Sequence, residues 1–351
     1  MARPARQTVQ FRTLIAKLAP DLRKAFLAGV ADLGDRVDMK ALVAALKAND
    51  IDGAIAAMHI TEGAFYQYAA TKTAAYAQGG AMAATTINGP PGGGVAFRFD
   101  MANPRAQEWI AANVADYVTR LTDEAKAVVR AAILEGYTAG RHPNSIAVDI
   151  AGRMVAGKRV GGLVGLSGGV GPDGKLTGQV AHVASMRARL ASGDPAEMAK
   201  VFGMTRRDKR LDSAIRKAIE AGKPVTAADI ERMTQRYTDR LIAKRAEDIA
   251  RTETGMAVMS SRAESWEQAA ETLGYDASAV IKRWIHGGGV KDPRPHHQAA
   301  NGMTVEGLDT PFILENGAVM QHALDPAGGA AECSSCTCDT TFRFSHAKGV
   351  T

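Results

Sequence analysis

The chain has 351 residues, 46% hydrophobic but only 5% aromatic, with a formal charge of +6 at pH 7. That is enough for two or three domains with Ala-rich helical cores, and it supplies too few large side chains for a broad β-sandwich. The sequence has no 18-residue apolar run to span a membrane and no apolar stretch of a secretion signal behind the basic first residues, and its three cysteines, crowded between Cys333 and Cys338, argue against a disulfide scaffold and for a reducing compartment.

Taken in order, the first ninety residues read as short helices. Leu14, Leu18, Leu22, Phe26 and Val30 recur every four residues, and Pro20 is expected to break that series, with a second helix starting at Asp21. Asp38 is placed to cap a helix carrying Leu42 and Leu46. A third helix through Phe65, Tyr68 and Tyr76 is expected to stop at Gly79-Gly80. The Gly/Pro stretch 88–95 reads as a linker separating an N-terminal helical region, 1–87, from a helical body, 96–255, with a short extended piece at Val95–Phe99. Asn103 as N-cap and Pro104 in the first helical position open a helix whose apolar face runs from Ile110 to Val128 and which ends near Gly136 and Gly140. A helix around Ile146–Val155 follows, then a flexible Gly-rich, basic loop at 157–178 and a helical stretch from Met186 to Gly222. Thr226 opens a long helix running towards Leu273. From Ser278 the texture becomes β-like, with short runs at 280–285, 303–305, 312–314 and 341–344 and a hairpin signal at Asn316-Gly317. The expected class is α+β, predominantly helical, with a small C-terminal α+β module over 256–351.

Gly169 to Gly174 fits G-x-G-x-x-G, and through Lys175 it fits the first seven positions of a P-loop. A phosphate cradle needs a strand before and a helix after, with a hydroxyl following the lysine. Leu176 stands in the hydroxyl's place and Pro172 removes a backbone donor, so the stretch reads as a basic loop rather than a nucleotide site. Cys333, Cys336 and Cys338 supply three thiols within six residues, and zinc takes four soft or imidazole donors in a tetrahedron. His296 or His297 is the candidate fourth donor, with His322 and His346 behind them. His286, Asp292, Arg294, His296 and His297, beside Trp284 and Gly287 to Gly289, have two readings. One is a hydrolase or transferase site with His as base and Arg as anion clamp; the other, favoured, is a structural knot in which Asp292 pairs with Arg294. Arg251 and Glu253 are charges of the long helix, available to pair across the module boundary. Residues 141–251 hold 21 Lys/Arg against 12 Asp/Glu, a local +9, which suits either a solvated helical surface or contact with DNA or an acidic protein.

In their order along the chain these signals resemble the Mu F-like family of phage head-morphogenesis proteins. The resemblance is carried by Ala250-Arg251-Thr252-Glu253 at the end of an Ala/Arg-rich helix, Trp284 on a strand, then Asp292, Arg294, His297 and Gly302, Pro311-Phe312, Asp325-Pro326 and Cys336-Thr337-Cys338. It spans about residues 100–340 and is strongest over 245–340. The family's Asp-x-Arg-x-Arg turn is shortened here to Asp292-Pro293-Arg294, its Asn-Cys-Arg-Cys ending reads Ser335-Cys336-Thr337-Cys338, and Cys333 is additional. The resemblance implies a minor head protein, not an enzyme, acting with portal, scaffold and major capsid proteins in head morphogenesis and in DNA packaging or ejection. It would reside in the virion, at the capsid interior or portal vertex, after assembly in the host cytoplasm. Contact with double-stranded DNA would fall to Lys158, Arg159, Arg206, Arg207, Lys209 and Arg210, through phosphates and without sequence reading. A general DNA-binding protein of the virion interior is the third reading, beside the nucleic-acid-directed enzyme.

Overall fold

Helix α1, Arg6–Asp35, opens the computed structural model, which describes residues 6–87, 97–289 and 292–345. The architecture is predominantly helical with a few small antiparallel sheets, as the composition and the C-terminal change of texture lead one to expect. Contacts divide the chain into two compact units, each discontinuous in sequence. The first comprises Met1–Ala25, Tyr68–Tyr117 and Glu247–Thr351, and the second Phe26–Gln67 and Val118–Ala246. These units cut across the expected segments 1–87, 96–255 and 256–351. The linker 88–95 and His346 lie outside the described residues, and of the extended piece at 95–99 only 97–99 are described, without strand pairing. Among the described residues no helix is long and apolar enough to cross a membrane.

The second unit is built from short, well-capped helices. α2, Met39–Lys47, starts where Asp38 accepts from the amides of Lys40 and Ala41, satisfying two of the donors a helix start leaves unpaired. α3, Ile51–Ala56, is capped in the same way by Asp50. α4, Tyr66–Ala84, and α5, Pro104–Ile110, belong mostly or wholly to the first unit. A π-helical turn, Ala111–Ala115, joins α5 to α6, Asp116–Thr138. α7 covers only Pro143–Ala151. The chain then turns into a two-stranded ribbon, β1 Arg153–Val155 and β2 Lys158–Val160, so the helix expected to reach Val155 ends at Gly152, whose φ of 91° stops it.

The glycine stretch 157–178 also departs from a flexible loop. It holds β2, a buried turn at Leu163–Gly165, and a second ribbon, β3 Gly169–Val170 with β4 Leu176–Thr177. Leu163, Val164 and Leu166 are core residues, and apolar burial is what fixes a glycine-rich segment in place. The helical stretch after Met186 is broken into α8 Gly178–Ala191, α9 Pro195–Ala199 and α10 Asp212–Glu220. α11, Ala227–Leu273, is the 47-residue helix announced by Thr226, whose hydroxyl accepts from the Asp229 amide.

In the first unit the core gathers Phe11, Leu18, Tyr76, Met259, Trp266, Tyr275, Trp284, Phe312, Phe342 and Phe344 around a three-stranded sheet. β5, Val280–Ile285, is the central strand, with β6, Thr304–Glu306, on one side and β9, Asp339–Phe344, on the other, both antiparallel. Its alternation buries Val280, Lys282 and Trp284 and exposes Arg283. Lys282 is tolerated on the buried face because its ammonium donates to the carbonyls of Leu308 (2.6 Å) and Gln321 (3.0 Å), while burial lowers its pKa to about 8. β7, Phe312–Ile313, and β8, Val319–Met320, form the hairpin signalled by Asn316-Gly317. Two short helices complete the module, α12 Pro295–Ala299 and α13 Gly329–Cys333. The start of α1 is tied to β9 by polar contacts. The amide of Gln7 donates to Phe342 O (2.8 Å), and its oxygen accepts from Phe342 N and from Arg262, itself paired with the buried Asp339 at 2.7 Å.

Candidate metal centre

His297 lies in the interior of the C-terminal module, 2% exposed, with its ring against the edge of Trp284 at 5.3 Å between centroids. Trp284 is held by β5 and packs on its other side against Phe312. Pro295 starts α12, which carries His296 and His297 in adjacent positions. α13 brings Glu332 opposite them. One carboxylate oxygen of Glu332 accepts from Nε2 of His297 (2.7 Å) and of His296 (2.8 Å), and the other accepts from the Asn316 amide (2.9 Å). Burial works against ionisation of Glu332, but these three donors outweigh it and hold its pKa below the usual range.

With Nε2 held by the Glu332 carboxylate, Nδ1 of His297 faces two sulfurs. Cys336 Sγ is 3.5 Å away and Cys338 Sγ 3.7 Å. The turn after α13 makes this possible. Ser335 adopts φ 53°, Cys336 N donates to Cys333 O, and Cys338 N points at Cys336 Sγ, so both thiols of Cys-x-Cys turn to the same side. Ser335 N also donates to the Thr252 hydroxyl on α11. Gly287 is needed where this loop crosses β5's exit, since a Cβ there would overlap the Thr337 carbonyl. The hydrogen bond with Cys338, and after it the His297 contact, lowers the Cys336 pKa to about 5 despite burial. Cys338 is pushed up by the same bond. For His297 burial acts to lower the pKa, and Cys336 and Glu332 reverse it to a net rise.

Two donor groups therefore meet at one imidazole: His297, Cys336 and Cys338, and His296, His297 and Glu332, each with donor atoms within 4.8 Å of one another. The first set could hold a metal ion. Cys333, expected among the ligands, is not in either set. Its thiol donates to Asp325 O at 3.0 Å, and burial raises its pKa to about 12, so it stays a protonated core thiol. His322 is buried elsewhere, with Nδ1–H donated to Ala323 O.

The remaining motif residues fall around this centre with different roles from those expected. Arg294 gives its protons to the carbonyls of Ala331 (2.6 Å) and Ser334 (3.0 Å), clamping α13 and its turn, rather than to Asp292, which is exposed. Gly302, at φ 89°, donates to Trp284 O where the chain enters β6. His286 caps the same region through its backbone, donating to the Asn301 side chain. Glu253 is buried and pairs with the buried Lys72, whose ammonium also reaches Asn113 O at 2.5 Å and lies over the rings of Trp109 and Tyr117. Arg251 is exposed at the mouth of a cavity. Glu332 and Lys72 were not singled out by sequence reasoning. A Glu adjoining the thiol cluster was the one available signal for the first; Lys72 sits in an ordinary helix and gave none.

The six basic residues expected on DNA all belong to the second unit. Arg207 is bidentate with Asp212, at 3.1 and 3.0 Å, and Arg210 pairs with Asp208 at 2.7 Å. Hydrogen bonding from Arg210 holds the Asp208 carboxyl far below its usual range. Arg159 donates to Gly152 O. Arg206 and Lys209 are exposed, and Lys158 lies in β2.

No family model, curated protein or solved structure matches this chain.

Proposed function

We propose that this chain is a minor head protein of a tailed phage, acting with portal, scaffold and major capsid proteins during head assembly, and that its C-terminal module is stapled by a zinc ion on His297, Cys336 and Cys338. The observation that carries the reading is convergence. Trp284, Arg294, His297, Gly302, Phe312, Cys336 and Cys338, which carry the sequence resemblance, gather in one small module around the His297 ring. Small modules with little regular secondary structure, here a three-stranded sheet, a two-stranded hairpin and two five-residue helices, are commonly completed by a metal.

Zinc is supported by distance. Zn–S near 2.3 Å and Zn–N near 2.0 Å at a tetrahedral angle require N···S edges of about 3.5 Å, against 3.5 and 3.7 Å at Nδ1. The Glu332–His297 hydrogen bond is the carboxylate–histidine arrangement that orients metal-binding imidazoles. The same geometry gives Arg294 a structural task, since Nε and Nη2 are committed to the carbonyls of Ala331 and Ser334.

Co-expression with the portal, scaffold and major capsid proteins encoded beside it tests the assembly role. The chain should sediment with assembled procapsids in a few copies per particle, and its exclusion from them would overturn the reading. Zinc is tested by metal analysis of purified protein. One equivalent is expected, lost in Cys336→Ser, and metal-free protein from zinc-supplemented cells would remove the staple from the proposal.

A further inference from the structure

Beside the Cys-x-Cys loop the first unit has a half-open cavity of about 530 Å³ that the reading above does not use. One wall is a single face of α1, with Phe11, Ile15, Ala16 and Ala19. Ala250 comes from α11, and Thr337 and Cys336 close the end. Its volume lies within the roughly 300–1,000 Å³ typical of small-molecule sites. Three guanidinium groups, Arg12, Arg23 and Arg251, stand along it against one carboxylate, Glu247. All three arginines are exposed, and among the described residues none has a carboxylate partner, whereas Arg105 and Arg262 of the same unit do. An apolar hollow rimmed by three guanidinium groups and a single carboxylate selects an apolar body and a planar anionic head, because the guanidinium fork matches a carboxylate in geometry as well as charge.

We infer that this cavity is a binding site for a small organic carboxylate with an apolar body. None of the three arginines is a proposed zinc ligand, and Cys336, which closes the end of the cavity, is shared with the metal centre. The inference does not depend on phosphate contact, because a nucleic-acid backbone offers nothing for the apolar wall.

The test titrates the full chain with dodecanoate, dodecanol and dodecyltrimethylammonium, each competing with the fluorescence of bound 1-anilinonaphthalene-8-sulfonate. Dodecanoate should displace the dye at one site per chain, about tenfold or more tighter than either other compound, as expected of hydrogen bonds to a charged group. The double variant Arg12→Gln/Arg251→Gln should erase that preference, and Ala16→Trp, which fills the hollow from an exposed position, should abolish the site. Thermal melts of both variants check that the fold survives. Equal affinity for the uncharged chain, or binding indifferent to Ala16→Trp, overturns the inference. So does displacement only by a peptide bearing a C-terminal carboxylate, which would make the hollow a protein-docking site.

Discussion

The two nitrogens of His297 have separate tasks, and separate substitutions read them. Nε2 is fixed by Glu332 and Nδ1 faces the sulfurs, so Glu332 acts on a bound metal only through the ring it orients. Loss of such an outer partner generally costs about 10–100-fold in metal affinity. Glu332→Gln should therefore retain one zinc per chain but lose it to a competing chelator at about 10–100-fold lower chelator strength. Cys333→Ser should leave both stoichiometry and affinity unchanged, because that thiol is committed to Asp325 O. The pair of results matters more than either alone: an insensitive Glu332→Gln would mean that the imidazole is held by packing against Trp284, and a sensitive Cys333→Ser would place the metal elsewhere. Three thiols within six residues were legible as a donor cluster. The division of labour among them was not, because it is decided by the left-handed turn at Ser335 and by a carboxylate that nothing in the spacing of the cysteines announces.

At the scale of the helices, residues of two types with the same reputation as helix breakers, proline and glycine, are absorbed inside helices here. Pro20 lies within the 30-residue α1, on an exposed position where the lost hydrogen bond can be made good by solvent, so the apolar repeat Leu14, Leu18, Leu22 and Phe26 continues through it instead of restarting at Asp21. Gly79 and Gly80 lie within α4, which runs on to Ala84. They serve close packing. A Cβ on Gly79 would sit 2.8 Å from Val258 Cα on α11 and would overlap the Ser261 hydroxyl, and one on Gly80 would enter the Phe99 ring. The pattern of caps and apolar faces was readable from sequence, as Asp38, Asn103-Pro104 and Thr226 show. Which glycines end a helix and which admit a neighbour depends on partners distant in sequence, 179 residues away for Gly79 and 19 for Gly80, and the helix's own sequence carries no trace of them. The sign of Gly79→Ala follows. At an open helical position the change would stabilise by up to about 1 kcal/mol through propensity. At Gly79 the backbone of α11 must shift, an overpacking cost of typically about 1–3 kcal/mol, so urea denaturation should show a net loss of stability. A net gain would mean that α4 and α11 can separate at no cost.

For the molecule as a whole, many cations of the basic middle are paired within its own structure. Arg141 and Arg187 share Asp149 with Glu135 nearby, Arg245 pairs with Glu124, Arg153 with Asp239, and Arg207 and Arg210 with Asp212 and Asp208. Counting charges along the sequence returned a local +9, but it could not show that carboxylates from outside the stretch, Glu124 and Glu135 among them, come back to meet it. Of the five residues expected to touch phosphates whose side chains are described, Arg206 and Lys209 are the two that are exposed with no carboxylate or carbonyl held by the side chain. Each phosphate neutralised contributes about −0.9 to the slope of log K against log salt on duplex DNA, so two cations give a slope near −2, where all six would give about −5. Fluorescence anisotropy with a duplex at graded salt should return the shallow value, and Arg206→Gln/Lys209→Gln should flatten it further. A slope near −5 that survives this double substitution would mean that DNA is held by a different surface, and that the ion pairs of the second unit open to meet it.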